Sequence, residues 1–190
     1  MLTFFPTLYE DELLYDIIAR YHFAVGNCDY RDTLEEIFGD KGKVPSIYFP
    51  TGIAALSAQL PDIAGFSPEN LINKHTLFPL YRPFLPQERA NIIFNHMLFE
   101  KGNSVYAAIG MMAGSICARD ALAYCPKCIE DDIREYGECY FRRSHNIQGV
   151  FVCFKHGCML KEYSITYKNT SRLEFIRLDY QNASTKAEYF

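Results

Sequence analysis

Two short stretches narrow most sharply what this chain can fold into: Cys125-Pro126-Lys127-Cys128 and, 24 residues later, Cys153-Phe154-Lys155-His156. A Cys-x-x-Cys turn aims two thiolates at one point, and a Cys-x-x-His turn supplies the other two donors of a tetrahedral site. Pro126 and Gly157 suit the tight turns that such knuckles need. The expected cofactor is therefore one structural Zn²⁺ held by Cys125, Cys128, Cys153 and His156. Four protein ligands close the shell, whereas a catalytic zinc keeps one position for water. No H-E-x-x-H or H-x-E pattern accompanies the set. Cys158 is the competing donor, because a slipped register offers it in place of Cys153 or His156.

The chain has seven cysteines, an odd number, and its opening MLTFFPTLYEDELL turns acidic without a basic, apolar leader. That combination places it in a reducing cytoplasm and reads the cysteines as metal ligands and buried apolar residues rather than a disulfide scaffold. Cys28, Cys117 and Cys139 are expected to pack as small hydrophobes. No run approaches the ~18 apolar residues of a membrane span, so no membrane partner is expected.

Around the metal motif the sequence divides in three. Residues 1–121 read as helical, 122–165 as a zinc-finger or ribbon module, and 166–190 as a C-terminal extension leading toward a longer chain. The expected fold class is α+β, mostly α, with a helix-turn-helix-like domain before the small zinc ribbon. Apolar spacing predicts a helix over 11–25, and Asp32 with Glu35 predicts a capping box for a second helix stopped at Gly39. Two short helices follow, 53–60 and 68–73, around a turn containing Pro61 and Gly65. This is compatible with helix-turn-helix, though two core helices in an α-rich domain is the commoner meaning of such a pair. Residues 75–86 read as an aromatic, proline-broken brace; 87–99 and 104–112 read as helices. Beyond 122, strands are expected at 149–154, 163–167 and 173–178. His22, His75 and His96 read as packed or surface residues.

Charge is uneven. Residues 1–40 carry nine acidic side chains against two basic ones, while the remainder is slightly basic. That is no global funnel for nucleic acid, so DNA contact must be local. Neither a Walker A nor a Rossmann glycine loop is present, and no G-x-S-x-G elbow marks a hydrolase. The expectation is a protein that is not an enzyme.

The residues also carry a resemblance. FPTLYEDELLYDIIARYH resembles the opening of the TniQ/TnsD family, target-selection proteins of Tn7-type DNA transposons, at Pro6, Glu12, Leu13, Tyr15, Ile18, Ala19 and Arg20. HTLFPLYRPF, His75 to Phe84, is similar to a characteristic family segment. The zinc region matches at Cys125, Pro126, Cys128, Tyr136, Gly137, Glu138, Arg143, His145, Cys153, His156, Gly157 and Leu160. Phe141 and Phe154 stand where Trp and Pro are frequent.

What the resemblance implies is an adaptor linking target DNA, or a guide-RNA effector complex bound to it, to an AAA+ ATPase transposition regulator of the TnsC type. The alternatives are a zinc-containing transcription regulator and, further off, a metal-dependent nuclease or deaminase. Under the adaptor reading, phosphate contacts are expected from Lys41, Lys43, Lys74, Arg82, Arg142, Arg143 and His145. Asp11, Glu12 and Asp16 are expected on an acidic face toward the ATPase.

Overall fold

The computed structural model describes residues 1–44, 46–99, 104–109, 121–166, 171 and 174–189. Its helices are α1 (Leu14–Val25), α2 (Tyr30–Phe38), α3 (Ile53–Ala58), α4 (Pro68–His75), the single turn α5 (Phe78–Tyr81), α6 (Gln87–Phe99), α7 (Ser104–Ile109) and α8 (Pro126–Tyr136). The sheet is two short strands, β1 (Ala123–Tyr124) antiparallel to β2 (Lys161–Glu162). The mostly helical expectation holds. No described helix is long and apolar enough to cross a membrane.

Helix α1 differs instructively from its amphipathic pattern. Residues 14 to 22 are all buried, the polar Asp16, Arg20 and His22 included. A helix with charges on its far side normally turns them to water. Here Glu138 and the Phe141 N–H supply polar partners to Arg20 and Asp16, and Thr33 supplies one to His22. The helix begins three residues later than the apolar spacing suggests, because Asp11 adopts φ 60° and turns the chain. Asp tolerates that region better than most residues, since its side chain bonds locally. Residues 11–13 instead pair with 141–143: Leu13 N–H donates to Phe141 O at 3.0 Å, and Arg143 N–H to Asp11 O at 2.7 Å.

Helix α2 starts before the expected capping box. Asp29 is the N-cap, accepting from Arg31 N–H at 2.9 Å, and Gly39 ends the helix as anticipated. Ser67 caps α4 with Pro68 behind it, matching the sequence signal. Helices α3 and α4 pack together around the 3₁₀ turn Ala64–Phe66. The 75–86 brace is a chain of short turns, α5 running into a 3₁₀ turn at Arg82–Phe84. Of the helix expected at 104–112, residues 110–112 lie outside the described set, as does Cys117.

The expected strands at 149–154 and 163–167 do not form among the described residues. An isolated bridge, Val152 to Met159, is what remains of the first. Residues 174–178 run without strand pairing, yet Phe175, Ile176 and Leu178 are buried. Apolar alternation there records burial against helices, not a ladder. This segment crosses the molecule: Ile176 N–H donates to Tyr15 Oη at 2.8 Å, Asp179 N–H to Tyr163 Oη at 3.2 Å, and Ser184 N–H to Tyr124 Oη at 2.9 Å.

One continuous apolar core joins α1–α6 to Leu122, Tyr124, Ile129, Phe141 and Tyr163. Phe141 is fully buried, edge-on to Tyr163 at 5.6 Å. The sequence divide at 121/122 is thus crossed by the core.

Candidate metal centre

Cys125 is the N-cap of α8, and its Sγ accepts from Cys128 N–H at 3.4 Å. Pro126 at the first helical position costs no hydrogen bond, since that N–H would be orphaned anyway. The cap and first turn of α8 therefore present both thiols on one side. The second knuckle is closed by Gly157, whose N–H donates to Cys153 O at 2.8 Å from φ 64°. That left-handed conformation favours glycine.

These two turns bring Cys125, Cys128, Cys153 and His156 together, with one donor atom of each within 4.8 Å of all the others. His156 Nδ1 lies 3.4 Å from Cys125 Sγ, 3.4 Å from Cys128 Sγ and 3.7 Å from Cys153 Sγ; Cys128 and Cys153 are 3.7 Å apart. Zn–S and Zn–N bond lengths place tetrahedral ligand pairs about 3.8 Å apart for S···S and about 3.5 Å for S···N. The cluster fits one tetrahedral ion.

Sequence reading missed the group that orients His156. Its Nε2 meets Asp131 Oδ2 at 3.1 Å, the carboxylate–histidine arrangement that fixes the tautomer and presents Nδ1 to a metal. Lys155, 2.7 Å away, pulls the Asp131 carboxyl down to about 2, with Arg134 and His156 assisting. The signal was available: Asp131 sits on α8 two turns past Cys125. Cys139 packs as expected, and burial pushes its thiol up to about 12, whereas Cys28 is exposed rather than packed.

The expected surface contacts sort differently. Lys74 and Arg82 are exposed with no carboxylate partner among the described residues, and Arg89 shares that state. Lys41 is exposed but paired with Asp32 and Glu35. Lys43 is 8% exposed, bonded to Thr51 Oγ1 and set over the Phe38 ring, so it is no phosphate ligand. Arg142 forms a two-pronged pair with the buried Asp132 and stacks on Tyr140. Arg143 caps the end of α4 through Asn73 O and Thr76 O while holding Asp11. His145 is buried with Nε2 3.9 Å from Cys128 Sγ.

The acidic trio is corrected too. Glu12 and Asp16 are 0% exposed, and Asp11 is held by Arg143 and Ser144. Their partners lie inside: Arg20 Nη1 donates to both Glu12 oxygens, its Nη2 to Glu138 at 2.6 Å, and Tyr9 Oη to Glu138 at 2.9 Å. Tyr9 stacks against both Tyr136 and Tyr140, whose rings also meet each other. Asp16 Oδ2 accepts from Phe141 N–H at 3.0 Å, while Oδ1 has no partner. Burial pushes both carboxyls upward, Glu12 against the pull of Arg20. His75, whose pKa burial lowers, presents Nδ1 to Glu12 O at 2.9 Å.

This latch joins the opening segment, α4 and the end of α8 through Glu12, Arg20, His75, Glu138 and Arg143, residues drawn from all three resembling motifs. Compared with known families, the TniQ model matches residues 3–160. The chain belongs to the TniQ family. It is 29% identical over 156 residues to the transposon Tn7 transposition protein TnsD of Escherichia coli. That match covers 82% of this chain and 31% of TnsD, so the chain spans about a third of its curated relative. The TniQ match ends at 160, yet the latch and all four metal-cluster residues lie within it.

Proposed function

We propose that this TniQ chain is a target-selection adaptor of a Tn7-type transposon: it links target DNA, or a guide-RNA effector complex bound to that DNA, to an AAA+ ATPase regulator. The observation that carries the reading is the family match across residues 3–160 with the Cys₃His cluster intact inside it. On this reading the metal is one structural Zn²⁺. Cys125, Cys128, Cys153 and His156 would hold it, and it would supply a cross-link between the α8 cap and the 153–157 turn rather than a reactive water. The chain itself catalyses no step, and it works in the cytoplasm of a bacterium.

DNA falls to the α4–α6 corner, where Lys74, Arg82 and Arg89 are exposed without carboxylate partners among the described residues and Phe84 is 84% exposed between them. Cations free of internal pairs release counterions from phosphate at no cost in broken ion pairs. The α3–α4 pair is then the helix-turn-helix-like element, with Lys74 in the last turn of α4. The ATPase falls to the acidic outer face of α2, where Asp29, Asp32, Glu35 and Glu36 are exposed. A basic partner surface would replace Lys41 there.

The test is retention of the ATPase encoded beside this gene on the tagged chain, with and without duplex DNA. Retention that DNA strengthens is expected, and Glu35→Lys with Glu36→Lys should weaken it. No retention in either condition contradicts the adaptor reading.

A further inference from the structure

The four-ligand set leaves one thiol over. Cys158 is fully buried, and its Sγ lies 3.4 Å from Cys125 Sγ. Two thiolates on one zinc sit about 3.8 Å apart, and Cys128 and Cys153 within the cluster are 3.7 Å apart. Cys158 therefore already stands at co-ligand distance from Cys125. Its backbone is fixed there: Cys153 N–H donates to Cys158 O at 2.9 Å, and Cys158 bridges to Tyr189 on the other side. Ala187 packs over the thiol group and closes it toward the C-terminal segment. Cys158 thus stands beside Cys125 at the edge of the four-donor cluster, outside the set whose atoms all lie within 4.8 Å of one another.

We propose that Cys158 is a standby ligand which exchanges with His156, so that the centre has a Cys₃His form and a Cys₄ form. The inference rests on the metal-binding reading above. The exchange balances without any oxidant. Cys158 Sγ–H gives up its proton and forms a bond to the metal; the bond from the metal to His156 Nδ1 breaks, and that nitrogen takes the proton. Total charge is unchanged. Asp131 is placed to receive the outcome, since its carboxylate meets Nε2 of the departing ring at 3.1 Å and pairs with an imidazolium. Softer metals favour the thiolate-rich form, so the preferred occupant of the Cys₄ form is a thiophilic cation.

Cobalt(II) and cadmium(II) are the probes, applied to the full chain. The wild type should take one cobalt with a three-thiolate spectrum. His156→Ala should still take one, with the stronger charge-transfer absorption of four thiolates, and adding Cys158→Ser should weaken binding by about 100-fold or more. Cadmium needs no change at His156: its thiolate charge-transfer intensity per metal should correspond to four thiolates in the wild type and three in Cys158→Ser. Equal cobalt binding by His156→Ala and the double variant overturns the exchange, and so does equal cadmium intensity in wild type and Cys158→Ser. A wild-type chain that binds neither metal overturns the metal-binding reading itself, and this one with it.

Discussion

At the residue scale, the polar groups that matter most are the ones turned inward. Asp131 touches no metal, yet it sets the direction of His156. Asp131→Asn should keep one zinc per chain while lowering affinity by about 10- to 100-fold, the usual penalty for losing such a partner. Competition with a chromogenic chelator measures it; unchanged affinity would show that the ring is oriented by packing alone. Asp16 makes a different prediction. Burial, with Glu12 beside it, raises its folded-state pKa well above the ordinary carboxylate value. A raised acid contributes its stability fully below the unfolded value and loses it as pH rises through the folded one. Asp16→Asn keeps an acceptor for Phe141 N–H and cannot ionise, so the variant should gain on the wild type as pH rises above the ordinary carboxylate range. Denaturation midpoints of the two zinc-saturated proteins give the difference directly. A difference constant across pH would mean that Asp16 titrates in the fold as it does in the unfolded chain.

At the element scale, α8 is where local sequence and site coincide. Its cap is one thiol of the Cys₃His cluster, its first turn holds another, and its second turn holds Asp131. Structural zinc contributes on the order of 10 kcal/mol to folding of such units. Cys128→Ser combined with Cys158→Ser, which leaves three donors, should abolish tight zinc binding and open residues 122–160 to protease. Because Phe141 and Tyr163 share the core with α1, α1 should lose protection as well. An α1 that stays fully protected after metal loss would contradict a shared core. The two knuckles of the Cys₃His cluster, the Ser67 cap and α6 were legible in the sequence because each depends on residues within a turn or two of one another. The burial of α1 and the inward arginines were not. Arg142 and Arg143 read as surface bases until Asp132, Asp11 and the end of α4, up to 132 residues away in sequence, are brought to them. The same long-range pairing withdrew Glu12 and Asp16 from the surface. Composition counted their charges correctly and could not place them.

At the scale of the whole molecule, net charge says little, since most described cations are neutralised by internal or neighbouring acids. The α4–α6 corner departs from this, with Lys74, Arg82 and Arg89 exposed and without carboxylate partners among the described residues. Arg82→Ala with Arg89→Ala should weaken duplex binding and make the salt dependence shallower by about 0.9 for each phosphate no longer neutralised. Titrations at several salt concentrations read the slope; an unchanged slope moves DNA to another face. Target selection itself is measured by mapping transposon insertions in cells that carry the element with and without this gene. Insertions should lose their preferred site when the gene is deleted, regain it with the wild-type chain, and fail to regain it with the Cys128→Ser, Cys158→Ser double variant. The same sites used at the same frequency without the gene would contradict the adaptor reading.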